Sequence, residues 1–203
     1  MLCRRENTKY SRMNLLGWSI LCPAAAELNW SGTIPFEQPI YPTADELKRL
    51  HDNIVERVES SIQRIIPENS KIISLMKEKQ VKLSFTDHKS GDQLCGIGKI
   101  DLALVLKHGN REVIIYFEVS STRIHVAKPW QALLKSIALY HEYRLPIITV
   151  IVSIEKVKYK LLSSRDYYTI INKIYSKPKE DFSPNPNMCS LCELVHYCPH
   201  RGI

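Results

Sequence analysis

The chain has 203 residues, 44% of them hydrophobic, enough to bury the core of one domain with appendages. Its 28 Lys and Arg against 21 Asp and Glu leave a net charge of +7, which favours a polyanionic partner. No apolar run is long enough to span a bilayer, which excludes a membrane-spanning helix and predicts no membrane partner.

Residues 1–40 read as irregular. A helical turn is expected over Leu15–Leu21, just before Cys22-Pro23, and prolines at 35, 39 and 42 predict a loop. Arg4, Arg5 and the apolar stretch Met13–Cys22 imitate a secretory leader. That stretch is short and interrupted by Asn14, Gly17 and Ser19, so a cytoplasmic protein is expected. Six cysteines, three of them clustered near residue 190, suit a reducing compartment and a metal better than disulfides.

A helix is predicted from Thr43, which forms a capping box with Glu46. Leu47, Leu50, Ile54, Val58, Ile62 and Ile65 recur at helical spacing until Pro67 closes the run. His51 lies at the border of this apolar stripe, where a histidine ordinarily completes the core boundary. Ser70–Lys79 reads as a second, short helix, Val81–Thr86 as a strand and Ser90–Gln93 as a turn.

Next come two runs rich in branched and aliphatic residues, Lys99–Leu106 and Glu112–Val119, around a turn at Gly109-Asn110. A two-residue turn makes His108 face Arg111. By the same register Asp101 faces Glu118, and Lys99 faces Ser120 on the carboxylate side. Two facing carboxylates about 5 Å apart weaken a sheet unless something offsets their repulsion. A hard divalent cation such as magnesium or manganese does so, and then binds phosphate oxygens; the alternative is that one carboxylate is exposed at a strand end or that a bulge breaks the register.

A helix is expected over Pro129–Tyr143, with Trp130, Leu133, Leu134, Ile137 and Tyr140 as its buried stripe. Gln131 and Lys135, four apart, share another face. Ile147–Ile154 reads as a central strand covered on both sides, Val157–Leu162 as a further strand and Ser164–Tyr175 as a helix. Lys177–Asn187 is a charged linker. The pattern predicts an α/β fold, a mixed sheet flanked by helices, in a single domain. Its core spans residues 43–176, with appended segments 15–42 and 177–203.

The last segment holds Cys189, Cys192 and Cys198, a spacing that signals a metal. Zinc would take His196 or His200 as the fourth ligand. A 4Fe–4S cluster would recruit Cys3, Cys22 or Cys95.

Taken together, His51 on a helix, Gly98 to Asp101, Glu118-Val119, Gln131, an early Cys-Pro and the late cysteine triplet resemble one family. The chain looks like the RecB-like branch of the PD-(D/E)XK nucleases, most closely the CRISPR-associated Cas-four proteins with an iron–sulfur cluster. The resemblance runs from about Cys22 to Cys198. It implies a restriction-endonuclease-like core and a 4Fe–4S cluster on Cys22, Cys189, Cys192 and Cys198. It implies magnesium or manganese held by His51, Asp101, Glu118 and the carbonyl of Val119, with Gln131 near the scissile phosphate. The implied activity is hydrolysis of DNA, typically single-stranded or at ends, in CRISPR spacer acquisition beside an integrase.

Two positions depart from that pattern. The family's lysine, two residues after the glutamate, is Ser120, and its tyrosine, four after the glutamine, is Lys135. Lys99 and Lys135 are the two candidates to replace the lysine, and the hairpin register favours Lys99. Lys99, Arg123, Lys128 and Lys135 are expected to track the DNA backbone. The alternative is a catalytically weak or inactive member of the family that binds DNA or protein.

Overall fold

The computed structural model describes residues 8–32, 34, 44–87, 90–121, 124–175 and 182–200. In chain order the elements are β1 (Thr8–Arg12), α1 (Met13–Ser19), α2 (Pro23–Ser31), α3 (Ala44–Ile65), β2 (Ser70–Lys77), β3 (Gln80–Thr86) and β4 (Gln93–Lys99). Then follow β5 (Leu102–His108), β6 (Arg111–Ser120), α4 (Lys128–Tyr143), β7 (Ile147–Ser153), β8 (Val157–Leu161), α5 (Ser164–Ile174), α6 (Pro186–Cys189) and a 3-10 turn at Val195–Tyr197. Among the described residues no helix is long and apolar enough to cross a membrane.

The chain divides into two compact units. One comprises Pro39–Val81 and Lys99–Leu162, the other Met1–Gln38, Lys82–Gly98 and Ser163–Ile203.

The first unit is built on a five-stranded mixed sheet of order β2-β5-β6-β7-β8. The β5–β6 hairpin pairs Leu102 with Phe117 through to His108 with Arg111, the register that the Gly109-Asn110 turn dictates. β6 and β7 are parallel, joined through α4, and β8 returns antiparallel to β7. Alternation sorts side chains onto two faces. Leu102, Leu104, Leu106 and Phe117 pack with Val58 and Ile62 of α3. On the other face Thr149 shares a 2.6 Å hydrogen bond with Ser136 of α4. This is the mixed sheet flanked by helices that the pattern predicts.

Several local readings change. Ser70–Lys77 is an edge strand rather than a helix, paired to β5 with an irregularity between Ile72 and Ser74. Ile72, Ile73, Leu75 and Met76 fit a helical stripe and a strand equally in so short a run. β7 is buried at alternate positions only, so one of its faces is partly open. Trp130 is partly buried and Tyr140 is 43% exposed, so the buried part of α4 is instead Gln131 to Leu139. Thr43, the proposed cap of α3, lies outside the described residues.

The second unit replaces the irregular N-terminal reading with a strand and two helices. β1 pairs in parallel with β4, which lies between β1 and β3. Met13, Leu16 and Trp18 of α1 are fully buried. Gly96 and Gly98 admit this helix closely: a Cβ on them would lie 2.6 Å from Leu16 Cδ1 and 2.8 Å from Met13 Sδ. Buried Asn29 of α2 donates to Ser19 Oγ and to the carbonyls of Leu15 and Ala25, and is hydrogen-bonded to Ser11. Trp30 donates to the Ile174 carbonyl at 2.9 Å, which ties α2 to α5.

Candidate active site

The chain breaks from β4 to β5 at Ile100-Asp101, and that break positions the first carboxylate. Ile100 donates to the Lys79 carbonyl and Glu78 donates to the Asp101 carbonyl, so the segment is held by the β2–β3 turn rather than by β6. Asp101, 9% exposed, turns its side chain toward the end of β6. There Oδ2 accepts the Val119 amide at 2.6 Å, and Oδ1 lies 3.2 Å from Nε2 of His51 on α3.

Glu118 is fully buried on the α4 face of β6. Its carboxylate accepts from Lys135 Nζ at 3.0 and 2.8 Å, and Lys128 Nζ lies 2.6 Å from Oε1. The hydroxyl of Tyr116, two residues back on the same face, also donates to it. A buried carboxylate is tolerated only when paired and hydrogen-bonded, and two ammonium groups and a phenol provide that here. Lys135 reaches it because α4 lies over this face. Gln131, one turn earlier on the same helix face, is likewise buried.

The electrostatics of the His51–Asp101 pair oppose its burial. Asp101's hydrogen bond and charge raise the His51 pKa above its ordinary value, with a smaller contribution from Asp52, while partial burial and Lys128 pull it down. Burial works to raise Asp101's pKa. The His51 hydrogen bond, the charges of Lys135 and His51 and the Val119 amide outweigh it and hold the carboxyl below its usual range.

His51, Asp101, Glu118, Val119, Gln131, Lys128 and Lys135 therefore belong to one neighbourhood, at the end of β6 and the starts of β5 and α4. Lys99 does not join it. As the last residue of β4, not the first of β5, it is exposed and pairs with Glu78 at 2.7 Å. Ser120 pairs in register with Ser153 of β7. Arg123 lies outside the described residues. Sequence reasoning took Lys128 for a backbone-tracking charge and missed Tyr116. A lysine at 135 between Leu134 and Ile137, inside a buried helical run, is the signal that marks the ion pair. Among the described residues no three His, Cys, Asp or Glu side chains converge on a single metal position.

The second unit contains a second cluster. Cys22, the residue before α2, Cys189 at the end of α6, Cys192 and Cys198 are not disulfide-bonded. All four line one cavity of about 220 Å³ with Trp18, Leu28 and Leu194. Burial pushes the Cys192 thiol up to about 12, opposed by the Leu194 backbone and reinforced by Cys22, Cys189 and Cys198. His196 and His200 do not line it, and His200 lies instead 3.9 Å from Glu27. Cys95 is disulfide-bonded and so no donor, against the expectation of reduced thiols throughout. Cys3 lies outside the described residues.

The fold and the buried acid–lysine cluster define a mixed α/β protein. No protein-family model and no curated protein matches the chain. A solved structure described as "Crystal structure of SSO0001" is similar over 98% of this chain and 89% of its own, with a TM-score of 0.53 and 15% identity. That likeness extends to the fold.

Proposed function

We propose that the chain is a divalent-metal-dependent DNA nuclease with a PD-(D/E)XK core, of the Cas-four type. The observation that supports this reading is that two pairs, His51 with Asp101 and Lys135 with Glu118, lie at the same end of β6, where the Val119 amide donates to Asp101. The carboxylates of Asp101 and Glu118 and the Val119 carbonyl would supply the hard oxygen donors that magnesium or manganese takes, with His51 as a nitrogen donor. When bound, the ion would polarise a phosphate oxygen and lower the pKa of a water.

The chain's own side chains supply the rest. Lys135 takes the part of the missing lysine in place of Lys99. Its Nζ is fixed by both oxygens of Glu118 and held beside the carboxylates, where charge builds on a pentavalent phosphate. Lys128 sits at the α4 entrance, next to Glu118, to receive the strand's phosphate. Gln131, on the helix face of Lys135, orients the phosphate or the attacking water. His51 holds Asp101 ionised and oriented.

The cysteine cavity fits a 4Fe–4S cluster on Cys22, Cys189, Cys192 and Cys198. Four thiols supply a cluster's full ligand set, and neither histidine that zinc would use lines the cavity. Single-stranded DNA or DNA ends are the proposed substrate. A CRISPR integrase is the proposed partner, and the cytoplasm the proposed setting.

The test is incubation of anaerobically purified protein with labelled single-stranded DNA and manganese, with and without chelator. Chelator-sensitive cutting is expected. A second reading, a binding member without catalysis, is favoured by one observation: two lysines already neutralise Glu118. DNA binding without cutting at any manganese concentration would select it.

A further inference from the structure

Glu118 holds its carboxylate with its acceptor positions already taken. Lys135 Nζ contacts both oxygens at 3.0 and 2.8 Å, Lys128 Nζ lies 2.6 Å from Oε1, and the Tyr116 hydroxyl donates to Oε2. An ionised carboxylate offers about four lone-pair positions, so an ion reaches Glu118 only as one of these donors leaves.

The donors differ in how freely they can leave. Tyr116 is fully buried and shares β6 with Glu118. The Lys135 side chain is 6% exposed, inside the buried run of α4. The Lys128 side chain is 14% exposed and belongs to the first residue of α4. In that first turn the helix dipole opposes an ammonium and favours a phosphate. Lys128 therefore has solvent to move into, and Glu118 is the carboxylate that holds it. Its charge also reaches His51 and pulls that ring's pKa down, so its departure would relieve both pairs of a positive neighbour.

Resting on the nuclease reading above, we infer that Lys128 is a substrate-operated latch: it closes on Glu118 in the DNA-free protein and leaves for a backbone phosphate of bound DNA, which opens Oε1 to the divalent ion. Lys135 and Tyr116 stay, and keep the carboxylate ionised and aimed. A phosphate that draws Lys128 away also removes its repulsion from a dication. DNA and metal then bind cooperatively, and linkage makes the coupling equal in both directions. A Glu118 permanently neutralised by its lysines would show no such coupling.

The experiment uses the anaerobically purified full chain, manganese and a phosphorothioate oligothymidylate, which keeps the phosphate charge and resists hydrolysis. Room-temperature electron paramagnetic resonance counts free manganese, with the oligonucleotide alone as the blank, and Asp101→Asn identifies the ions held at this site. In the native chain the oligonucleotide should tighten manganese binding at least about tenfold. Lys128→Met keeps the stem and loses the charge. It should bind manganese about tenfold more tightly than the native chain without the oligonucleotide, as removal of a closed state does, and the oligonucleotide's enhancement should shrink by the same factor. Circular dichroism checks the fold of each variant. Equal manganese affinity of Lys128→Met and the native chain overturns the latch, as does an enhancement that the substitution leaves intact. So does a native chain whose manganese affinity is indifferent to the oligonucleotide, a result that needs no variant. With manganese still bound and DNA still cut, these outcomes leave the nuclease reading standing. Finding no bound manganese that Asp101→Asn removes overturns that reading and the latch with it.

Discussion

Lys135 sets its ammonium 2.8 and 3.0 Å from the two oxygens of Glu118, with both side chains almost wholly buried. Lys99, the candidate the hairpin register favours, is paired with Glu78 on the surface. Lys135→Ala should therefore lower manganese-dependent cleavage of single-stranded DNA by about 10²–10³-fold, the usual cost of losing a group that stabilises transition-state charge. Lys99→Ala should leave the rate within about twofold. Single-turnover cleavage at saturating metal compares the two. Equal effects of both substitutions would remove Lys135 from the role.

The same contact predicts stability. Removing one partner of a buried ion pair strands the other, at a cost of about 3–5 kcal/mol. Glu118→Ala leaves Lys135 and Lys128 facing each other without their carboxylate. Its denaturant midpoint in chelator should fall accordingly. Adding Lys135→Met to that variant should recover part of the loss, as coupled neighbours do.

The His51–Asp101 pair makes stability depend on pH in the metal-free protein. His51 has a raised pKa, so its contribution is full below its ordinary value of 6.5 and is lost as pH rises through the higher folded value. Asp101 has a lowered pKa, so its contribution is present above 3.8 and is lost as pH falls through the lower folded value. Between those limits both groups are charged. Asp52 adds to the attraction on His51, and Lys128 opposes it. The melting temperature of the native chain relative to His51→Gln should peak in that interval. A difference independent of pH would mean that the ring contributes packing alone.

Four thiols around one cavity predict a brown protein with about four iron atoms per chain after anaerobic purification. Cys22→Ser should lose iron and stability together, because metal binding is folding energy in such sites. His196→Ala and His200→Ala should retain iron in full. Zinc retained with no iron would replace the cluster reading.

The β5–β6 pairing was legible because a short turn fixes every later pair, down to Leu102 opposite Phe117. The error at Lys99 lay just beyond it. Alternation within one apolar run hid the break at Ile100-Asp101, and only the hydrogen bonds to Glu78 and Lys79 reveal that the chain has changed sheets. The position of Lys128 against Glu118 was not legible, since it depends on how α4 crosses the sheet. Helix α1 overlaps the helical turn expected over Leu15–Leu21, whereas α2 was not read as a helix because nine residues with three consecutive alanines carry little periodic signal. Spacing alone left Cys3, Cys22 and Cys95 equal as partners of the late cysteines; only the family resemblance singled out Cys22, which lines one cavity with them across most of the chain's length.

The two units also differ in how early they can form. The sheet unit is complete in sequence by Leu162, and its hairpin and its helix-linked strands are neighbours along the chain. The cysteine unit draws on three separate stretches, and the third, which begins at Ser163, supplies Cys189, Cys192 and Cys198. During synthesis the sheet can therefore settle first, and Cys22 meets the late cysteines only once everything between them has been made.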